Sequence, residues 1–296
     1  MSTGPVDLKS RLRRCAFALL RASGVPLVLR HTVQRRRLTI LLFHQQDPVR
    51  FESTLHALRS RYSLVGMAEA LQALESGTIH LLPPCPLVIT FDDGRASNAA
   101  LVPVLRRYEV RPTVFVTTGV VGTNRHFWWT ALDASELRHA QSLPEAERIA
   151  YLRQLGHDPL TERSTAQALT LEQLSELSSV ADIEPHTRTH PVLTRCTAEE
   201  ARAEIQGSID DVTTLVGTTP RVFAYPNGDV NDTVSGIVAA CGIRYAVTTE
   251  PVYVDRRSEP LRLGRIFIRD TATNSELIVF ASGLHGMLKR MLRRAP

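Results

Sequence analysis

The amino-acid sequence predicts an α/β protein built as one irregular (β/α) barrel with a helical insertion. Two apolar runs, residues 38–43 and 87–91, show no polar alternation and end directly in polar residues. This pattern is typical of strands buried on both faces of a parallel sheet. Helical patterns separate the strand-like runs, and no repeat or low-complexity linker interrupts them. A chain of 296 residues with 43% hydrophobic residues is long enough to bury one large core.

The two ends of the chain are its most basic parts. We predict a basic N-terminal helical segment over residues 1–37, where eight arginines lie, and a C-terminal helix with a basic tail over residues 271–296. Solvated helix faces are the simplest interpretation of these charges, and peripheral contact of the basic termini with an anionic membrane is the alternative. No aromatic residues interleave with the charges in the way a nucleic-acid surface requires, so we expect no nucleic-acid partner.

No targeting or membrane-spanning segment is predicted. Residues 15–20 are apolar, but Arg21 follows them and no Ala-x-Ala-like cleavage site comes next. No run approaches the roughly 20 apolar residues of a membrane span. The four cysteines are scattered without a CxxC pair, which favours reduced thiols. We therefore expect a cytoplasmic protein.

The barrel itself is predicted over residues 38–270. Its first strand, residues 38–44, ends at His44, which we expect at the mouth of the barrel because ligands collect at the carboxyl ends of parallel strands. A hydrogen-bonded structural role is the alternative for this histidine. Further strands are predicted at 87–91, 112–118, 221–224, 245–248 and 265–268.

Helices are predicted between these strands from apolar spacing at three and four residues. Residues 122–180 contain only helical patterns, and we expect this insertion to cover part of the barrel mouth because it exceeds an ordinary connection in length. Thr197 and Glu200 form a capping box that predicts a helix start. The other helices are expected at residues 51–61, 67–74, 99–108, 231–241 and 275–292.

Two groups of residues suggest a metal site. Asp92 and Asp93 directly follow a buried strand, where each carboxylate needs a cation as partner. His186 and His190 are four residues apart, and with one carboxylate they supply the two nitrogens and one oxygen of an open zinc site. Pro191 biases His190 away from helical geometry, so we expect the pair to span a strand-to-helix turn.

The chain resembles a known family at these positions. Thr90-Phe91-Asp92-Asp93-Gly94, His186-Thr187-Arg188-Thr189-His190 and Phe223-Ala224-Tyr225-Pro226-Asn227-Gly228 are similar, in order and spacing, to three motifs of the polysaccharide deacetylases. This family is also called the NodB-homology domain or carbohydrate esterase family 4. The resemblance covers roughly residues 38–268 and implies an irregular barrel of the polysaccharide deacetylase type.

The resemblance also implies roles for the motif residues. Asp92 would be the general base, and Asp93, His186 and His190 would bind a divalent metal, for which zinc is the expected identity. A backbone N–H in the turn of Tyr225, Pro226 and Asn227 would stabilise the oxyanion and contact substrate. The substrate would be an N-acetylated glycan or glycan precursor. Side chains that we expect in its cleft, with core packing as the alternative for the tryptophans, are His44, Trp128 and Trp129.

The chain departs from the family pattern at three places, one of which is Glu184-Pro185 before His186, where a glycine followed by a small residue is more usual. Ala224 stands where many members carry an arginine that pairs with the catalytic aspartate, so another group must tune Asp92 or none does. Leu284-His285-Gly286 matches the letters of a late family motif, but apolar spacing places His285 within the closing helix and not at a strand end. Two alternatives therefore stay open: a deformylase or other amide hydrolase acting on a lipid-linked sugar, and a non-catalytic glycan-binding member that keeps the metal site.

Overall fold

The computed structural model describes residues 8–287 of the chain. Eleven α-helices lie in this part of the chain, and none of them is long and apolar enough to cross a lipid bilayer. The helices are α1 (Leu8–Ala22), α2 (Val25–Thr32), α3 (Pro48–Arg59), α4 (Met67–Glu75), α5 (Val102–Tyr108), α6 (Ala134–Ser142), α7 (Glu145–Gln154), α8 (Leu171–Ser178), α9 (Ala198–Val216), α10 (Asp232–Ala240) and α11 (Asn274–Ala281).

Eight strands occur within residues 8–287, and every pairing between them is parallel. The strands are β1 (Thr39–Phe43), β2 (Ser63–Leu64), β3 (Pro86–Phe91), β4 (Thr113–Val116), β5 (Asp182–Pro185), β6 (Val222–Ala224), β7 (Tyr245–Val247) and β8 (Ile266–Phe267).

The strands close into an irregular barrel. A continuous sheet has the order β5-β4-β3-β1-β8, with β2 paired to the start of β3, and β6 and β7 form a separate pair. The segment before β8 joins this pair to the sheet, since the N–H of Thr248 donates to the Leu263 carbonyl and the N–H of Leu263 to the Ala246 carbonyl, each at 2.8 Å. The predicted irregular (β/α) barrel is thus confirmed.

The strand residues are buried on both faces, as their continuous apolar character predicts. Leu41 and Phe43 of β1 pack outward in the core formed with α3 and α5, whereas Leu38 and Ile40 pack in the barrel interior with Phe115 of β4. This two-sided burial places the polar residues that follow each strand at the mouth of the barrel.

One gap in the barrel is closed by a side chain. No backbone ladder joins β5 to β6, but Oε2 of Glu184 on β5 accepts the N–H groups of Arg221 and Val222 at 2.9 and 3.3 Å. Burial raises the pKa of the Glu184 carboxyl to about 8, although the two amide bonds act in the opposite direction. Both N–H groups reach the same oxygen, so the carbonyl oxygen of a protonated carboxyl group can still accept them.

The region between β4 and β5 contains α6, α7 and α8 and no strand. The capping box of Thr197 and Glu200 at the start of α9 is confirmed, with both reciprocal hydrogen bonds present. The predicted closing helix 275–292 is wrong in its length: α11 ends at Ala281, and Gly283 has a left-handed φ of 69° that breaks the helix. Residues 288–292 lie outside the described residues.

His285 lies beyond this break, in a helical turn that begins at Leu284. Its ring packs on Phe280 at 4.7 Å between ring centroids. The prediction that His285 is not at a strand end is therefore confirmed, although it does not belong to one continuous closing helix.

The first testable prediction concerns Glu184. Because its folded pKa lies above the ordinary value of the unfolded chain, the contribution of Glu184 to stability should be fully present below about pH 5 and be lost as pH rises towards 8. Replacing Glu184 with Gln keeps an acceptor oxygen for β6 and removes the titration, so the E184Q protein should lack this fall. Urea unfolding at pH 5, 6.5 and 8 measures the difference.

The matched control is Glu69→Gln on α4, which should keep the wild-type pH dependence because Glu69 is exposed to solvent. An E184Q protein whose free energy of unfolding falls with pH as steeply as that of the wild type would contradict the role of Glu184.

Candidate active site

The two adjacent aspartates lie in a tight turn at the carboxyl end of β3. The N–H of Asp92 still pairs with the Phe43 carbonyl at 2.9 Å, but Asp93 and Gly94 then adopt left-handed φ values of 74° and 71°. A Cβ on Gly94 would lie 2.8 Å from Cγ1 of Val116, so the turn requires glycine there. This turn brings both carboxylates to the floor of a cleft of about 620 Å³, where they are 3% and 1% exposed.

The two histidines lie in a turn after β5, and the predicted strand-to-helix turn is confirmed. The N–H of His186 pairs with the Val116 carbonyl at 3.0 Å and so continues the β4–β5 ladder. Thr187 and His190 then take left-handed φ values of 64° and 58°. Backbone strain of this kind persists only where surrounding contacts hold the segment in place.

Helix α9 supplies those contacts. Glu204 accepts the N–H groups of Arg188 and Thr189 at 2.9 and 2.8 Å and the Thr189 hydroxyl at 2.8 Å. Asp211, two turns further along α9, accepts two hydrogen bonds from the Arg188 guanidinium. Gly207 lies between them, where a Cβ would be 2.5 Å from Nε of Arg188. Sequence reasoning did not single out these α9 residues.

Asp93, His186 and His190 meet at one point. Nε2 of His186 and Nε2 of His190 are 4.0 and 3.9 Å from Oδ1 of Asp93, and one ligand atom from each residue lies within 4.8 Å of the others. Two ligand atoms that share an ion at about 2 Å must lie within about 4 Å of each other. Two imidazole nitrogens and one carboxylate oxygen match a divalent metal in chemistry, and they lie slightly farther apart than the ligands of a bound ion, so binding requires a small inward movement of the side chains.

Both imidazoles are in the neutral state that metal binding requires. Burial lowers the pKa of His186 and lowers that of His190 further, with His186 adding to the effect on His190. Nδ1 of His186 donates to the Ala224 carbonyl at 2.7 Å, which leaves Nε2 free of its proton and turned towards Asp93. Nδ1 of His190 has no hydrogen-bond partner in residues 8–287.

Asp92 has a different partner, which sequence reasoning missed. Nη1 and Nη2 of Arg265 donate to Oδ1 and Oδ2 of Asp92, both at 2.7 Å, and the arginine is fully buried. Burial raises the pKa of Asp92, but the charge and the hydrogen bonds of Arg265 outweigh it and hold the pKa below its ordinary value. Ala224 stands where the motif resemblance implies an arginine, and Arg265, the residue before β8, pairs with Asp92 instead. The sequence feature that could have indicated Arg265 is a charged residue directly before an apolar strand.

Arg95 is a second residue that sequence reasoning missed. Its Nε and Nη2 atoms contact Oδ2 of Asp93 at 3.0 and 2.9 Å, and its guanidinium lies over the Phe127 ring at 5.2 Å. Because Oδ2 is held in this way, Oδ1 is the oxygen that faces the two histidines. Arg95 thus fixes the orientation of the carboxylate next to the metal position.

The insertion forms one wall of the cleft. Trp128 and Trp129 both line it, and the indole N–H of Trp128 donates to the His190 carbonyl at 3.0 Å. Arg148 lies over the Trp128 ring at 4.3 Å. Trp129 is half-buried, and its ring centroid is 4.2 Å from that of His190. Trp128 is therefore packed as support, whereas Trp129 presents an aromatic surface to the cleft.

The opposite wall contains only some of the other expected residues. His44 and Asn227 line the cleft, but Tyr225 and Pro226 are buried beneath it. The N–H of Tyr225 pairs with the Val247 carbonyl and its hydroxyl donates to Leu261, so both groups are occupied. Pro226 has no N–H. Of the three predicted turn residues, only Asn227 lines the cleft, so its N–H is the remaining candidate donor to an oxyanion.

Comparison with known proteins gives a consistent result. The family model described as polysaccharide deacetylase matches residues 82–246. Chitin deacetylase 1 of Cryptococcus neoformans is 36% identical over 75 residues, a stretch that spans 25% of this chain and 16% of that protein. The chain thus matches only a small part of this curated relative.

Solved structures extend the similarity to most of the chain. The deacetylase PplD of Streptococcus pyogenes, solved in complex with acetate, has a TM-score of 0.61 at 22% identity and covers 83% of this chain and 98% of its own. IcaB of Ammonifex degensii has a TM-score of 0.61 at 20% identity, and the match covers 83% of this chain and 97% of IcaB. At such identities the similarity shows a shared fold.

The second prediction concerns metal binding. One divalent ion per chain is expected after zinc reconstitution, and Glu204→Ala should weaken its affinity by about 10–100-fold because the turn of His186 and His190 loses its clamp. Competition with a fluorescent zinc chelator gives the affinity. Glu199→Ala, an exposed change on the same helix, is the matched control. Equal zinc affinity in the E204A and E199A proteins would contradict the clamp, and absence of zinc from the wild type would contradict the site.

Proposed function

This chain belongs to the polysaccharide deacetylase family, and on that premise we propose that it hydrolyses the N-acetyl amide of an amino sugar in a glycan or glycan precursor. Members of this family are metal-dependent hydrolases of carbon–nitrogen bonds other than peptide bonds. The observation that carries the proposal is the different partnering of the two aspartates: Arg265 holds Asp92, while Asp93 faces the two histidines.

Asp93, His186 and His190 would hold a divalent metal, and their nitrogen and oxygen donors favour zinc. When bound, the ion supplies Lewis-acid chemistry, which polarises the amide carbonyl and acidifies water. Asp92 then acts as general base. Its carboxylate is kept ionised by Arg265, and its Oδ2 lies 3.9 Å from Nε2 of His186, at the edge of the metal position. It takes the proton of the attacking water and returns it to the leaving amine.

The cleft walls position the substrate. The N–H of Asn227, a residue that lines the cleft, donates to the developing oxyanion. Trp129 offers a ring face on which an amino sugar stacks. His44 lies across the cleft, with its ring edge-on to Phe267 at 5.4 Å. The products are acetate and a free amine that gains a proton at neutral pH.

A deformylase acting on a lipid-linked sugar uses the same groups, since formyl and acetyl amides differ by one methyl group. A non-catalytic glycan-binding member needs the metal site but gains nothing from an ionised Asp92. The buried Arg265–Asp92 pair therefore favours an enzyme over a binding module. Assays of acetate and formate release with and without a chelator distinguish the three functions.

The N-terminal helices support peripheral membrane contact. Leu12 and Leu19 on α1 are 62% and 71% exposed, and Leu27 and Val28 on α2 are 51% and 59% exposed. Nine Lys or Arg residues and one Asp lie in residues 1–37. Exposed apolar side chains among cationic ones suit the interface of an anionic bilayer. The cytoplasmic location expected from the sequence stays a prediction.

The third prediction separates the roles of the two aspartates. Asp92→Asn should keep zinc and lose about 10²–10⁴-fold in turnover, because the base is removed and the ligands remain. Asp93→Asn should lose both zinc and turnover. Zinc content by elemental analysis and acetate release from a chitin oligosaccharide give the two readouts. Loss of zinc to the same degree in both variants would show that the assignment is wrong.

The fourth prediction concerns the membrane. The wild type should bind vesicles of equal phosphatidylglycerol and phosphatidylcholine more tightly than vesicles of phosphatidylcholine alone, and less tightly as salt is raised. The double substitution Leu12→Gln and Leu19→Gln should weaken this binding by about tenfold or more. A matched control changes Val49 and Leu81, which are 77% and 71% exposed elsewhere on the surface. Sedimentation in which both double variants bind like the wild type would contradict the contact.

A further inference from the structure

A second pocket lies beside the catalytic cleft. We call it the α1 groove and define it by Arg13 and Phe17 of α1, Phe267 of β8, Arg269, Phe280 of α11 and His285. Its volume is about 520 Å³, within the range of small-molecule sites. The rings of Phe17 and Phe280 are 5.3 Å apart, and Phe267 is 42% exposed. The groove therefore combines an aromatic wall with cationic side chains.

The charge in the α1 groove is not balanced. Nε of Arg13 and Nη2 of Arg269 both contact Oε1 of Glu276, at 2.6 and 3.1 Å. Oε2 of Glu276 is already used, because it accepts the Thr273 N–H at 2.8 Å in a capping box. Two guanidinium groups thus share one carboxylate, and Nε of Arg269 is buried without a hydrogen-bond partner within residues 8–287. This cluster has an excess positive charge suited to an anion.

The α1 groove adjoins the catalytic cleft. Thr249 and Phe267 line both cavities. A ligand with its sugar at Asp92 and Asp93 can therefore extend over Phe267 into the groove without leaving the protein surface. The next group along such a ligand would meet Arg269 and Arg13 and then the Phe17 and Phe280 rings.

We infer that the α1 groove binds the aglycone of the substrate, a phosphate joined to a hydrocarbon chain, so that the enzyme acts on a lipid-linked phosphosugar. The inference rests on the proposed hydrolysis of an amino-sugar amide. The arginines bind the phosphate, and the aromatic rings bind the chain. The exposed Leu12 and Leu19 on α1 favour a lipid as the occupant. Their side chains would contact the bilayer from which the hydrocarbon chain extends.

The groove is remote from the bond that is hydrolysed, so its contacts stabilise the ground state and the transition state alike. Such uniform binding lowers KM and leaves kcat unchanged. Arg13 is a suitable site for a test, because it lines the α1 groove and does not line the catalytic cleft. Its neighbour Arg14 is exposed on the same helix and does not line the groove, which makes Arg14→Gln a matched control for Arg13→Gln.

The experiment compares amide hydrolysis of N-acetylglucosamine 1-phosphate with that of its farnesyl ester. The wild type should show a KM for the farnesyl ester lower by about tenfold or more, from partial burial of the chain. The R13Q protein should raise this KM by about fivefold or more at constant kcat, and the R14Q protein should not. Calorimetric binding of farnesyl phosphate, which needs no turnover, should weaken in R13Q and not in R14Q. Phe17→Ser tests the apolar wall in the same way, with folding checked by circular dichroism.

The outcomes separate the two proposals. Absence of hydrolysis from both sugars, with farnesyl phosphate bound in an Arg13-dependent manner, would overturn the proposed function and leave the groove as an anionic lipid site. Hydrolysis of both sugars with equal KM, or identical behaviour of R13Q and R14Q, would overturn the groove and leave the proposed function standing. A dimer in solution that R13Q dissociates would also overturn it, by assigning the groove to a second copy of the chain.

Discussion

The buried ion pair between Arg265 and Asp92 is the interaction on which the site depends. Both side chains lie inside the barrel, where an unpaired charge is costly, so each requires the other. Arg265 also donates to the Thr248 carbonyl and to the Thr90 hydroxyl, at 3.0 and 3.2 Å. It thus joins the segment before β8 to β3 across the interior, and the contact that keeps Asp92 ionised also holds together the strands that form the cleft floor.

The other functional groups are each held by a neighbouring element. Helix α9 clamps the histidine turn through Glu204 and Asp211, and Arg95 fixes which oxygen of Asp93 faces the histidines. On β5, two residues before His186, Glu184 closes the gap between β5 and β6. Polar side chains therefore join elements that no backbone ladder joins, and their hydrogen bonds fix the geometry of the cleft.

Local patterns were sufficient to predict much of this arrangement. The continuous apolar strands predict β1 and β3, and the motif residues Asp92, Asp93, His186 and His190 converge because each follows a strand end at the same mouth. Arg265 could not be predicted as the partner of Asp92, since 173 residues separate them and only the closed barrel brings them together. The break of the closing helix at Gly283 was missed because apolar spacing continues through it.

Residues Tyr225 to Asn227 show a second feature that the sequence motif does not predict. The motif predicts a turn, but which of its N–H groups faces the cleft depends on β6–β7 pairing, which uses the Tyr225 N–H. Tertiary pairing, and not the letters of the motif, leaves Asn227 as the available donor. The supporting roles of Glu204 and Asp211 were hidden for the same reason, because acidic residues on an amphipathic helix are ordinarily a solvated face.

The central claim is that Arg265 keeps Asp92 ionised so that it can act as the base. Its most direct test is the pH dependence of kcat/KM for the Arg265→Met and Arg265→Lys proteins, with zinc content and folding measured in parallel. Because Arg265 lowers the pKa of Asp92, its removal should move the acidic limb of the profile to higher pH in R265M, and R265K should restore part of the shift. A folded, zinc-loaded R265M enzyme whose acidic limb stays at the wild-type pH would contradict the account.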